Sequence, residues 1–274
     1  MVPVLAQLGP ATLYTHDVFS ALALVVGLGL YYRELRRRGW LDERIFWISV
    51  AAVVGGVLGA RTITAWEHIS YYTALGEAPL TYVITHSGKS ILGGIAGGYV
   101  ATVLAKRALG YTRSTGDCYV LAIPIATAIG RVGCFLSELP LGTPTTLPWG
   151  VSVSPEAAAA FPSCPGCSGP MHPSMVYEIL FNLVAVAAIV RFRGRVPVQG
   201  DVLKAYLLSA FVFRFGVEFV RANPVQAWGL SGPQTVLIPL IAWLGLHFVR
   251  QIRRGVYRLP VPPEPGFGAR ETAS

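Results

Sequence analysis

The chain is short of charge. Only 13% of its 274 residues are Asp, Glu, Lys or Arg, against roughly a quarter in a soluble domain, while 53% are hydrophobic. Mean hydropathy is +0.53. So little charge excludes a water-facing surface of ordinary chemistry. No cationic leader precedes the first apolar stretch and no small-residue cleavage site stands out, so a removable signal peptide is not expected. The net charge of +8 comes with no nucleic-acid-binding motif in the required context, so no nucleic-acid partner is expected. Neither an internal repeat nor a pair of broken spans in matching halves is present, which argues against a transporter.

What the chain has instead is long apolar blocks, the mark of a bilayer as solvent. They predict spans over residues 16–32, 45–66, 90–104, 117–136, 175–190, 202–219 and 235–249. The expected fold is therefore all-α, a polytopic membrane bundle of about seven helices. Residues 1–258 form one transmembrane domain with outer loops 67–89 and 137–173, and residues 259–274 a polar, disordered cytoplasmic tail. Arg33, Arg36, Arg37 and Arg38 follow the first span, Lys106 and Arg107 the third, Arg191, Arg193 and Arg195 the fifth, and Arg250, Arg253 and Arg254 the seventh. Apart from Arg221, beside the sixth span, the other loops hold only Lys89. By the positive-inside bias this places the N-terminus outside and the C-terminus in the cytoplasm. Tyr71, Tyr72 and Tyr82 suit a membrane interface. The glycine pairs Gly93, Gly94 and Gly97, Gly98 allow close helix packing or, alternatively, a backbone that approaches a lipid head group.

Arg61, Arg131, Arg214 and Arg221 lie within or beside apolar blocks. An arginine at the centre of a span costs at least about 2.5–3.5 kcal/mol, so these four need partners or water. Glu218 stands four residues after Arg214, on the same helix face; Glu178, Glu138 and Glu67 are the other acids near spans. Structural ion pairs and snorkelling at helix ends account for such residues in one reading. The other is functional, because guanidinium groups stay charged and grip phosphate bidentately. A cluster of them in a lipid-accessible bundle points to a phospholipid head group.

Gly130-Arg131-Val132-Gly133-Cys134-Phe135, followed by Gly142, Thr145 and Leu147-Pro148-Trp149-Gly150-Val151, resembles the prolipoprotein diacylglyceryl transferases. Gly59-Ala60-Arg61, Gly93-Gly94, His172-Pro173-Ser174 with Tyr177-Glu178, and Arg214-Phe215 with Val217-Glu218-Phe219 and Arg221 extend the likeness along most of the chain. The resemblance implies a bacterial inner-membrane enzyme that moves a diacylglyceryl group from phosphatidylglycerol to the lipobox cysteine thiol of a lipoprotein precursor, without a cofactor or metal. It implies Arg131 and Arg214 as the phosphate-facing pair, Glu218 orienting Arg214, and Arg61 and Arg221 at the head group or gate. Gly93 and Gly94 lie along the substrate, and Gly142 gives a tight turn near the site. The chain departs from the family pattern at His16-Asp17, Leu92, Cys134 and Ala210. The base for the thiol is therefore open among His16, His86 and Glu218, with His16 carried as the catalytic candidate. A relative that binds or presents phospholipid without transfer is the alternative. Cys164 and Cys167 fit a loop staple or inert thiols; a zinc site lacks a fourth ligand and a redox site its βαβ surroundings.

Overall fold

The computed structural model describes residues 2–8, 11–67, 91–138, 142–159, 169–223 and 225–258. Among the described residues the chain is mostly helical, and five helical segments there are long and apolar enough to cross a membrane. It divides into two compact units, one of residues 1–38 and 114–274, the other of residues 39–113.

In the larger unit a hairpin of β1 (Val4–Leu8) and β2 (Ala11–Tyr14) leads into α1 (Thr15–Arg38). A 3-10 turn, Gly116–Tyr119, precedes α4 (Ala122–Leu136). The short α5 (Pro155–Ala159) sits in the following loop, and α6 (Ser174–Phe192), α7 (Asp201–Val217) and α8 (Gly232–Arg253) complete the unit. A ribbon of β3 (Val225–Ala227) and β4 (Leu230–Ser231) feeds α8. The two ribbons are small additions to the mostly helical fold. They are only two to five residues long, too short to register against apolar blocks of membrane length.

The helices follow the predicted spans with shifted ends. α1 continues past residue 32 to Arg38 because Glu34 pairs with Arg37 at 2.8 Å and with Arg38 at 2.9 Å, one turn on. Arg36–Arg38 also oppose the negative end of the helix dipole. α8 starts earlier than predicted because Ser231 and Gln234 form a capping box. Its interior Pro239 removes one ladder bond.

α1 packs on α4, α4 on α6, α6 on α7 and α7 on α8. Gly133 lets the β-carbon of Phe19 lie against α4. The rings of Phe181 and Phe213 stack at 4.3 Å between α6 and α7, and Tyr206 donates to Asn182 at 2.8 Å across the same seam. At the arginine-rich end, fully buried Asp201 accepts from Lys204 (2.8 Å), His247 (2.9 Å) and Tyr257 (2.7 Å), tying α7 to α8 and the chain beyond it. Cavities of about 340 Å³, along His247, Arg250 and Arg254, and 130 Å³, beside Arg33, Glu34 and Arg193, lie toward that end.

Among its described residues the smaller unit has two helices, α2 (Glu43–Glu67) and α3 (Ile91–Ala108). Their backbones meet at glycines. A β-carbon on Gly97 would strike Gly55 and stand 2.8 Å from the Gly59 α-carbon, so only hydrogen fits.

Candidate anion-binding site

Four elements of the larger unit send charged side chains to one point near the end opposite Arg36–Arg38. Glu178, on the first turns of α6, is 7% exposed and sits at the centre. Arg131 from α4 pairs with its Oε2 through Nε. Arg214 from α7 reaches Oε1 at 3.3 Å and Arg221, just past the helix end, at 3.1 Å. The three arginines are 12%, 18% and 14% exposed. One carboxylate is thus shared by three guanidinium groups, not held in a private pair. Arg131 also turns Nη1 toward the Met175 sulfur at 3.6 Å.

Glu218 supplies the second carboxylate. Its Oε2 lies 2.8 Å from Arg214 Nη2, one turn back on the same face as the spacing predicts, and 3.9 Å from Arg221 Nε. Its Oε1 accepts from Asn223 and from the Ser231 hydroxyl at 2.9 Å. Ser231 therefore ties the cap of α8 to the cluster. Three guanidinium groups against two carboxylates leave one positive charge in excess among these five side chains. Taking charges out of water costs several kcal/mol per ion, and shared contacts offset that only when each ion is well satisfied.

Beside the cluster the loops form a narrow sheet-like strip. Gly142 pairs with Arg221 on one side, and its amide donates to the His172 carbonyl at 2.7 Å on the other. Thr143 donates to Val220 at 2.9 Å, and Met171 and Val151 exchange two bonds of 3.0 Å. A β-carbon on Gly142 would collide with the Val220 carbonyl and approach His172 Cβ to 2.7 Å. Its glycine answers to close approach of two neighbouring strands. Glu138, just after α4, has φ of +53° and accepts from Ser154 through both hydroxyl and amide, the latter at 3.0 Å. The Ser154 hydroxyl, above all, holds the Glu138 carboxyl below the usual carboxylate range.

Of the residues singled out in the sequence, Arg131, Arg214, Glu218 and Arg221 converge, and Gly142 abuts them. His16 starts α1 beside the Gly133 turn, its ring 3.5 Å from Asp17, with no hydrogen bond to the arginines. Arg61, Gly93 and Gly94 belong to the smaller unit, where Gly94 faces Gly56 and Ala60 and Arg61 is exposed. His86, Lys89, the three loop tyrosines, Cys164, Cys167 and the tail lie outside the described residues. Cys118 is buried and Cys134 half-buried, packed with Met171 and Met175. Among the described residues no group of three or more His, Cys, Asp or Glu is arranged to hold a metal ion.

In the sequence Glu178 stood among the acids near spans and within a family-like segment, but without a role of its own. Its signal was present: the rule that demands a partner for a buried arginine demands one for a buried glutamate. Also missed was a chain of contacts between loop and helix, in which Trp149 Nε1 donates to the Tyr177 hydroxyl at 2.9 Å and that oxygen lies 3.2 Å from His172 Nδ1.

Clustered, desolvated guanidinium groups with charge to spare are the side-chain chemistry that grips phosphate esters in general. The family model described as prolipoprotein diacylglyceryl transferase matches residues 3–250. The chain belongs to this family. It is similar to the phosphatidylglycerol–prolipoprotein diacylglyceryl transferase of Nitratidesulfovibrio vulgaris strain Miyazaki F, 32% identical over 261 residues, covering 89% of this chain and 93% of the relative. It is similar to the enzyme of that name from Fervidobacterium nodosum, 30% identical over 247 residues, 86% and 80% of the two chains. A third, from Synechococcus elongatus, is 29% identical over 264 residues, 93% and 89%. As a member of the prolipoprotein diacylglyceryl transferase family, this membrane protein carries the matched segment across both units and through nearly all of α8.

Proposed function

We propose that the protein transfers the diacylglyceryl group of phosphatidylglycerol to the thiol of a lipoprotein-precursor cysteine, in the bacterial inner membrane. The reading includes seven spans, N-terminus outside and C-terminus inside, with loops 67–89 and 137–173 on the outer face. α7, 17 residues, and α3, 18 residues, each cover about 26 Å, a little under the hydrocarbon thickness of about 30 Å.

The observation that carries it is the convergence of Arg131, Arg214 and Arg221 on Glu178. In the reaction the thiol sulfur bonds to the terminal glyceryl carbon, that carbon's bond to the phosphate oxygen breaks, and glycerol phosphate leaves with the electron pair. Charge develops on the departing phosphate, where preplaced cations lower the barrier most. Arg131 and Arg214 grip the phosphate, Glu218 holds Arg214 in line, and Arg221 closes the far side. Glu178 keeps the three guanidinium groups gathered before the lipid arrives and yields contacts to the phosphate when it binds.

The test is transfer itself. The purified protein in vesicles of phosphatidylglycerol is given a lipobox peptide, and the peptide mass is followed, with Arg131→Ala as control. A gain of one diacylglyceryl group by wild type alone is expected. Lipid binding without any modified peptide would overturn transfer in favour of a lipid-presenting relative.

A further inference from the structure

The transfer reading leaves one proton without a destination. A thiol near neutral pH is mostly protonated, and only the thiolate is a good nucleophile. Three carboxylates in and beside the arginine cluster are already engaged: Glu178 by three arginines, Glu218 by Arg214, Asn223 and Ser231, and Glu138 by Ser154. A carboxylate saturated with cationic or hydrogen-bond donors is a poor proton acceptor.

The Trp149–Tyr177–His172 chain is of another kind. An indole N–H can only donate, so the Tyr177 oxygen accepts from Trp149 at 2.9 Å. The phenol's own proton is then directed at His172 Nδ1, 3.2 Å away. With the neutral imidazole's proton on Nε2, Nδ1 is ready to receive. One lone pair of the Tyr177 oxygen remains for an incoming donor.

The position fits a peptide substrate. Tyr177 immediately precedes Glu178 on α6, so its backbone adjoins that of the residue at the centre of the arginine cluster. His172 lies across Gly142 from Arg221, two strand spacings or about 10 Å between backbones. Trp149 is 54% exposed. Beside the pair stand Trp149, which donates to Tyr177, and the Gly142 backbone, which contacts His172 and bridges to the Arg221 backbone.

We infer that Tyr177 is a catalytic residue that takes the proton of the substrate thiol, with His172 a positioning residue that receives the phenol's proton in turn. This rests on the transfer reading. The S–H bond breaks as an O–H bond forms on Tyr177. The former phenol proton passes to Nδ1, giving an imidazolium. The sulfur pair bonds to the glyceryl carbon and the phosphate leaves with its own pair. The imidazolium proton returns through Tyr177 to the glycerol phosphate, so no charge or proton is left over.

The experiment measures kcat/KM for a lipobox peptide from pH 6 to 9.5 in phosphatidylglycerol vesicles, for wild type, His172→Gln, Tyr177→Phe and Arg131→Ala. At pH 7 the first two variants are expected to lose about 10²-fold, the lower end of general-base effects. Both should regain activity as pH approaches about 8.5, where a free thiol ionises unaided. Arg131→Ala should stay low at every pH. Losses in His172→Gln and Tyr177→Phe that do not depend on pH, or profiles parallel to wild type, would overturn the inference while leaving transfer intact. Absence of product from wild type overturns transfer and this inference together.

Discussion

Glu178→Gln is the most informative single substitution. It keeps the side chain's size and removes one charge, so the three arginines lose their common counter-ion. Glu218 alone would then face Arg131, Arg214 and Arg221, and of these it contacts only Arg214 and Arg221. All four side chains of the Glu178 group are less than one-fifth exposed, so water does little to screen them. Removing one member of a buried ion pair costs about 3–5 kcal/mol. At about 2–4 °C per kcal/mol for a chain approaching this size, the thermal midpoint falls by about 6–20 °C. The assay is thermal unfolding in vesicles or detergent, followed by intrinsic fluorescence, with and without inorganic phosphate. Phosphate should stabilise Glu178→Gln more than wild type, because it substitutes for the lost carboxylate; at 100 times its dissociation constant a ligand adds about 2.7 kcal/mol. A double variant, Glu178→Gln with Arg131→Gln, should recover part of the loss, since the charge excess is smaller. An unmoved midpoint in Glu178→Gln, with no differential response to phosphate, would refute the reasoning that one carboxylate organises the cluster.

Three further outcomes are expected. Gly142→Ala places a methyl group against the Val220 carbonyl and His172; transfer should drop by more than tenfold while the helical circular-dichroism signal stays within error of wild type. Asp201→Asn weakens the buried junction of Lys204, His247 and Tyr257; a loss of about 3 kcal/mol and faster proteolysis near Tyr257 should follow. Glu138 has a folded value held below its unfolded value of about 4.3, so its contribution is complete above about pH 5 and fades as pH falls through the lowered folded value. The stability gap between wild type and Glu138→Gln, from denaturation midpoints, should therefore shrink between pH 6 and pH 3.

The apolar blocks alone determined where the long helices of the described chain run, within a few residues at most ends. A span is a local property, set by the hydropathy of about twenty consecutive residues, so it can be read along one dimension. The Arg214–Glu218 contact was equally legible, because four residues is one helical turn. The larger role of Glu178 was decided by the tertiary structure. Its partners lie 47, 36 and 43 residues away in α4, α7 and the turn beyond it, and their meeting depends on how each helix is rotated about its axis. The same holds for Trp149, Tyr177 and His172, which come from a loop, a helix and the strand-like segment before it. A charge in an apolar block says that a partner exists; only packing decides which partner, because the cost of burial is met by whichever counter-charge the fold brings within reach.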